Sequence, residues 1–205
     1  MRIIAGRYRG RIVKAAPGER TRPTTDRIRE AWASTLISLL PHGFDGLSVL
    51  DAFAGSGALG LEAVSRGAGT VVFCEKDHRA LGVLRENLLI VEEGSCALLV
   101  LALDVFSIKA VKALRESGPY QLVVLDPPYS IPVRNMEVIL RALAETGSLT
   151  PGAFITYEHR KGENNGLDGL VIASDCSPAS LKMVSCKTYG TTQLEYLCYQ
   201  ALKEQ

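Results

Sequence analysis

Histidine is scarce in this chain, and its cysteines do not pair by spacing. The three histidines, His42, His78 and His159, are scattered and show no ligand spacing. A metal site is therefore not expected. The five cysteines, Cys74, Cys96, Cys176, Cys186 and Cys198, are odd in number and include no C-x-x-C; four sit in hydrophobic, strand-like surroundings. They read as buried free thiols of a reducing cytosol rather than as disulfides or zinc ligands. The N-terminus, MRIIAGRYRGR, has no apolar core of the kind a signal peptide needs. The longest stretch without Asp, Glu, Lys or Arg is 31–44, which contains Pro41 and Gly43. That is too short and too broken to span a bilayer. Repeats, linkers and low-complexity segments are also lacking. The expectation is a cytoplasmic protein with no membrane segment and no metal.

What the chain does have is enough apolar material for a real core: 205 residues, 47% hydrophobic and 22% charged. That suits one ordinary domain. The charge is unevenly spread. Residues 1–29 hold nine Lys/Arg against two Asp/Glu, a local +7, so the remainder carries −6 of the total +1. Such asymmetry points to a polyanionic partner for the N-terminal part, nucleic acid being the natural one. A plain solvated tail is the competing reading, but Ile3, Ile4, Tyr8, Ile12 and Val13 are interleaved with the cations.

Residues 2–14 read as two short strands around Gly6–Gly10, a small basic β-hairpin, followed by a loop over 16–26. A helix is expected over 26–40. There Ile28, Ala31, Trp32, Thr35, Leu36, Leu39 and Leu40 keep helical spacing, with Thr25 or Asp26 as N-cap and Pro41-His42-Gly43 as the stop. From 47 onward strands and helices alternate. Strands are expected at 47–53, 70–75, 96–103, 120–126 and 153–158, with helices at 58–66, 78–91, 107–117 and 133–146. Near-continuous apolar strands separated by helices imply an α/β fold, a parallel sheet covered on both faces. After 166 the pattern changes. Residues 170–174, 180–189 and 193–199 read as strands, the last two forming an antiparallel edge hairpin that turns at Gly190.

The stretch DAFAGSGALG (51–60) contains a literal G-x-G-x-x-G from Gly55, and Glu75 follows 20 residues later. That is the dinucleotide-binding expression. Yet Asp51 stands beside the glycines, where a pyrophosphate would be repelled. Asp51, Glu75, Asp104 and Asp126 each close an apolar strand, and in such a sheet ligands bind at the strands' carboxyl ends. For any one of them a helix N-cap role is about as plausible. S-adenosylmethionine has no phosphate and carries an ammonium and a sulfonium, which carboxylates attract. Glu75 suits the vicinal hydroxyls of a ribose, and Asp104 could accept from an adenine amine.

The stretch LDPPYS (125–130) brings together a side-chain oxygen (Asp126), a carbonyl without a competing amide nearby (Pro127), a second rigidifying proline (Pro128) and a ring face (Tyr129). That set is complementary to a planar exocyclic amine on a base stacked against Tyr129. Holding both N–H groups away from the base plane would free the nitrogen lone pair for attack on a methyl-sulfonium. As an isolated motif it could also be only a rigid loop.

LDAFAGSGALGLEA, the acidic end of VVFCEKD, and LDPPY resemble the class I S-adenosylmethionine-dependent amino-methyltransferases. Together with MRIIAGRYRGR, RPTTDRIREAW and LDAFAGSGALGLEAVSRGA, the chain is similar to the bacterial 16S ribosomal RNA guanine-N2 methyltransferases, the RsmD type. The likeness runs from residue 1 to about 130, with YGTTQLEYL (189–197) a weaker match. It implies a Rossmann-like, seven-stranded, mostly parallel sheet with a reversed hairpin at one edge, and methylation of guanine(966) at N2. Residues 1–25 would be a basic hairpin and loop belonging to the same domain as 26–205.

The resemblance also implies the site. Asp51, Phe53, Gly55, Gly57, Glu75, Lys76, Asp104, Val105 and Thr24, the last from RPTT, would bind S-adenosylmethionine. Asp126, Pro127, Pro128 and Tyr129 would hold the guanine amine. Leu103 departs from the family pattern, which has a glycine before the aspartate. A target base inside folded RNA must be splayed out to be reached. Arg2, Arg7, Arg9, Arg11, Lys14, Arg20 and Arg22 are then the candidate phosphate contacts. The partner would be 16S RNA or the assembling small subunit, and the enzyme a monomer. A DNA adenine-N6 or cytosine-N4 methyltransferase, a nicotinamide-dependent oxidoreductase and a non-catalytic RNA-binding module are the competing readings.

Overall fold

The computed structural model describes residues 1–16, 26–162, 166–172 and 179–201. The chain divides into two compact units, Met1–Asp104 and Val105–Gln205.

The first unit holds α1 (Asp26–Leu39), β1 (Ser48–Asp51), α2 (Ala58–Ser65), β2 (Thr70–Glu75), α3 (His78–Leu88) and β3 (Ala97–Ala102). Its strands run parallel in the order β3-β2-β1, with Asp51 beside Phe73 and Glu75 beside Ala102. α1 buries Ile28, Trp32 and Leu36 of the expected stripe together with Arg29 and Ala33, while Ala31, Thr35 and Leu39 are half-buried, and Trp32 packs on Phe44 with ring centroids 5.6 Å apart. Asp77 caps α3, accepting from the amides of Arg79 and Ala80. β1 and β2 are buried almost throughout. β3 is not: it pairs only with β2 in this unit, and Leu99 is exposed. Continuous apolar sequence thus marks an edge strand here as well as buried ones.

The expected N-terminal hairpin is a single antiparallel bridge, Arg2 to Ile12, rather than two strands. Gly6 and Gly10 take left-handed φ values of 85° and 83° and turn the chain early. The segment is fastened to its own unit. Arg7 and Tyr8 donate backbone amides to the Ser65 carbonyl and hydroxyl, and Ser65 donates to the Ala5 carbonyl. The Ile4 amide donates to Glu62, and Asn87 exchanges two hydrogen bonds with the Lys14 backbone. A Cβ on Gly6 would stand 1.8 Å from the Ser65 carbonyl oxygen.

The second unit holds α4 (Ile108–Ser117), β4 (Tyr120–Leu125), α5 (Val133–Glu145), β5 (Leu149–Arg160), β6 (Val171–Ile172), β7 (Ala179–Tyr189) and β8 (Thr192–Ala201). β4 and β5 are parallel; β8 joins β5 antiparallel, β7 joins β8, and β6 joins β7. β5 is twice the expected length because it begins at Leu149, and the ladder slips between Tyr120 and Leu122. Tyr189 pairs with Thr192, so the hairpin turns through Gly190 as expected, with φ 60°. The described strands number eight: the seven of the implied sheet plus the two-residue β6.

The third glycine of 55–60 has a packing role. A Cβ on Gly60 would lie 2.2 Å from the Phe73 ring, so α2 meets β2 closely only with glycine there. Gly60→Ala should lose about 1–3 kcal/mol of stability, the usual consequence of overpacking. Urea unfolding that shows an unchanged midpoint would refute this.

Candidate functional site

In the first unit the parallel register carries three acidic strand endings to one end. Asp51 closes β1 and Glu75 closes β2, while Asp104 lies two residues beyond β3. Their proximity is registered by Cys74. Burial first, and then the charges of Glu75, Asp104 and Asp51, push its thiol up to about 12. Cys74 also donates to the Leu103 carbonyl at 3.4 Å. Three carboxylates around one buried thiol make this end of the unit strongly anionic.

Asp51 is buried and accepts from the Gly60 amide at 3.0 Å. It therefore anchors α2 as well as charging the site. Glu75 does more structural work than its sequence position suggests. Its Oε2 accepts from the Gly55 amide at 2.8 Å, while Oε1 accepts from the Lys76 and Asp77 amides at 2.8 and 2.7 Å. The carboxylate offers about four lone-pair sites, so a vicinal diol would share it with these amides. Gly55 and Gly57 adopt φ values of 52° and 82°, and a Cβ on Gly57 would meet Leu84 at 2.5 Å. Lys76 extends its ammonium to Asp104 at 3.0 Å, an exposed pair. Phe53 is half-buried beside the loop. Thr24 lies outside the described residues.

In the second unit, Val105 is buried and Asp126–Tyr129 follows directly on β4. Asp126 is half-buried, Pro127 buried, and Tyr129 36% exposed. The Tyr129 hydroxyl shares a hydrogen bond with Thr192 at 3.0 Å, and the Arg160 guanidinium sits 5.6 Å from its ring centroid. The two prolines and Tyr129 line a shallow recess with Tyr157, His159 and Arg160. Sequence reading found no motif in 131–180 and so missed Arg160. The available signal was polarity: TYEHR (156–160) places Thr, Glu and His at buried strand positions.

The candidate phosphate contacts fall into two groups. Arg2, Arg7 and Lys14 face Asp26, Glu92 and Glu86 in exposed ion pairs. Arg9 and Arg11 are exposed and form no ion pair with any described residue; they flank Gly10, and Ile12, next to Arg11, is 78% exposed. Arg20 and Arg22 lie outside the described residues. No group of three metal-ligating side chains and no helix long and apolar enough to cross a membrane occurs among the described residues.

The family model described as "Conserved hypothetical protein 95" matches residues 1–198, well beyond the sequence motifs. Ribosomal RNA small subunit methyltransferase D of Escherichia coli is 33% identical over 201 residues, 98% of this chain and 89% of that protein. A solved Escherichia coli chain described as a candidate methyltransferase, yhhF, superposes with a TM-score of 0.74 at 31% identity, covering 98% of this chain and 99% of that one. Magnesium protoporphyrin IX methyltransferase from Synechocystis, solved with bound S-adenosylmethionine, superposes at 0.55 with 16% identity, over 84% of this chain and 78% of that one. At that identity it speaks to the fold alone. The fold is thus that of the class I methyltransferases.

Of the expected buried thiols, Cys74 and Cys198 are buried, Cys96 is half-buried and Cys186 is exposed; all four are free. Cys176 lies outside the described residues. Cys186 is exposed because it lies in the outer part of β7, where Cys186, Lys187 and Thr188 all face solvent. At pH 8 a disulfide reagent should modify Cys186 promptly and leave Cys74 intact until denaturant is added. Peptide mapping that finds Cys74 modified in the native protein would mean the acidic cluster is not closed around it.

Proposed function

The chain belongs to the ribosomal RNA small subunit methyltransferase D family, and we propose that it transfers the methyl group of S-adenosylmethionine to the exocyclic N2 amine of guanine(966) in 16S ribosomal RNA. One observation carries the cofactor assignment: Asp51 closes β1, Glu75 closes β2 and Asp104 follows β3, so the parallel register brings three carboxylates to one end of the unit. An anionic end of that kind attracts a cationic cofactor and opposes a pyrophosphate. It favours S-adenosylmethionine over a nicotinamide dinucleotide.

When bound, S-adenosylmethionine supplies an electrophilic methyl group on a sulfonium. Asp51, Phe53, Gly55 and Gly57 would take its methionine side, Glu75 its ribose, and Lys76, Asp104 and Val105 its adenine side. Asp126 and the Pro127 carbonyl would accept the two N–H groups of the guanine amine. Delocalisation into the ring makes that amine a poor nucleophile. Two acceptors placed off the base plane favour a pyramidal nitrogen and direct its lone pair toward the methyl group. Tyr129 offers the ring on which the splayed base stacks. The proton released on transfer has Asp126 as its nearest acceptor in this scheme.

The RNA phosphates would be met by the N-terminal segment. Surface ion pairs are weak, so Arg2, Arg7 and Lys14 can exchange a carboxylate for a phosphate with little net gain. Arg9 and Arg11 have no described carboxylate to leave and should dominate. The substrate is ribosomal RNA of the small subunit in the cytoplasm, either naked or assembling with protein.

Four measurements test the proposal. Calorimetry should show S-adenosylmethionine binding and no NAD binding; the reverse would overturn the reading of Asp51. Asp126→Ala should lower methyl transfer by about 100-fold or more while retaining cofactor affinity, and undiminished turnover would remove Asp126 from the chemistry. Arg9→Ala with Arg11→Ala should reduce the log–log salt slope of RNA binding by about 1.4, two phosphates at ~0.7 each. Arg7→Ala with Lys14→Ala should change it less, and equal slopes for both pairs would refute the distinction. Transfer of labelled methyl groups onto unmodified small subunits and onto naked RNA, with nuclease mapping, identifies nucleotide and atom.

A further inference from the structure

Tyr129 is held at both ends of its side chain by one pair of facing residues. Arg160 ends β5 and Thr192 begins β8, and they are partners in the antiparallel register. Thr192 shares a 3.0 Å hydrogen bond with the Tyr129 hydroxyl. Arg160 places its guanidinium 5.6 Å from the ring centroid. Neither contact belongs to the Asp-Pro-Pro-Tyr motif, and neither residue has been given a role above. Arg160 is exposed and pairs with no described carboxylate. A cation held by an acid would be explained as a surface ion pair. This one is directed at the motif's aromatic ring.

A tyrosine side chain has two free torsions, and its ring swings unless something fixes it. A hydrogen bond at the tip fixes the direction of the ring axis. A guanidinium over one face fixes rotation about that axis, because the attraction is strongest over the face and is lost at the edge. The β5–β8 ladder fixes the backbone positions from which both side chains reach Tyr129.

We propose that Arg160 and Thr192 are positioning residues that clamp the Tyr129 ring in the orientation in which it meets the target guanine. The inference rests on the methyl-transfer reading of Asp126–Tyr129. It adds two residues, from strands outside the motif.

Double-mutant cycles on methyl transfer to unmodified small-subunit RNA test the clamp. Arg160→Met should raise the KM for RNA roughly 2- to 30-fold, the range of a cation over an aromatic face. Arg160→Lys should restore most of it, and the KM for S-adenosylmethionine should not move. Thr192→Val should cost about 2- to 10-fold in kcat/KM, with Thr192→Ser restoring it. Tyr129→Leu should lower kcat/KM by roughly 5- to 150-fold, the loss of one stacked base. In that background neither Arg160→Met nor Thr192→Val should have any further effect. If Arg160→Met still weakens RNA use without Tyr129, Arg160 acts on the RNA directly and the clamp is refuted. Wild-type kinetics in Arg160→Met refute it as well. An inactive wild type would overturn the functional reading instead. The clamp is then decided without substrate by the NMR ring-current shift of the Arg160 side-chain methylenes. It should be present in the native protein and abolished by Tyr129→Leu; no such shift in the native protein rejects the clamp.

Discussion

The carboxylate of Glu75 organises the cofactor end of the first unit. It gathers the amides of Gly55, Lys76 and Asp77, and so ties the loop after β1 to the turn after β2. Hydrogen bonds to an ionised acceptor are worth roughly twice ordinary ones. A loop of glycines is entropically expensive to hold in one conformation. The two facts explain each other. Gly55 and Gly57 supply left-handed backbone that other residues reach only with strain, and Glu75 selects one arrangement out of the freedom they bring.

That arrangement has an electrostatic price, because Asp51 and Asp104 stand close by. The unit reduces it in three ways. Asp51 accepts the Gly60 amide, Lys76 reaches Asp104, and Cys74 stays protonated in the middle. What is left is a negative end with amide donors already engaged by protein carboxylates. A phosphate seeks free amides at a helix N-terminus; here Asp51 and Glu75 hold the amides of Gly60 and Gly55. The glycine pattern of a dinucleotide site is present, but its donors serve a different purpose. The distinction between two cofactor classes therefore rests on hydrogen-bond bookkeeping rather than on the glycine spacing.

How much of this was legible in the sequence depends on which force decides each feature. Strand and helix order was readable because burial imposes its period directly: the alternation from β1 to α5 follows the apolar pattern closely. Strand-closing acids were readable because a charge after an apolar run marks where a strand meets solvent. Edge position was not, since Leu98, Leu99 and Val100 look the same in sequence whether one neighbour or two cover them. The N-terminal segment was misread as two strands because its alternating apolar residues do contact the unit, through Ile3, Tyr8 and Val13, yet turns at Gly6 and Gly10 prevent a ladder. Arg160 and Thr192 were invisible for a different reason. Their significance arises only from the pairing of β5 with β8, residues 32 positions apart, and no local pattern reports a contact of that kind.

The same distinction separates the cations of the N-terminal segment. In sequence they form one basic block. In the structure part of that block is architecture: Tyr8 is buried, with its hydroxyl on Ser95, and its neighbour Arg7 reaches Glu92. Lys14 holds Asn87 through its backbone while its ammonium meets Glu86. Among the described residues of the segment, the Arg9–Gly10–Arg11 turn projects the cations that no described carboxylate pairs. A basic segment that were merely a tail would have no reason to be bonded at Ile4, Arg7, Tyr8 and Lys14. One that were merely structural would have no reason to leave two arginines uncompensated beside an exposed isoleucine. Both properties together describe a fixed arm that presents a small charged tip. Fixing such a tip in advance lowers the ordering cost of binding a polyanion and gives non-specific phosphate contacts a defined direction.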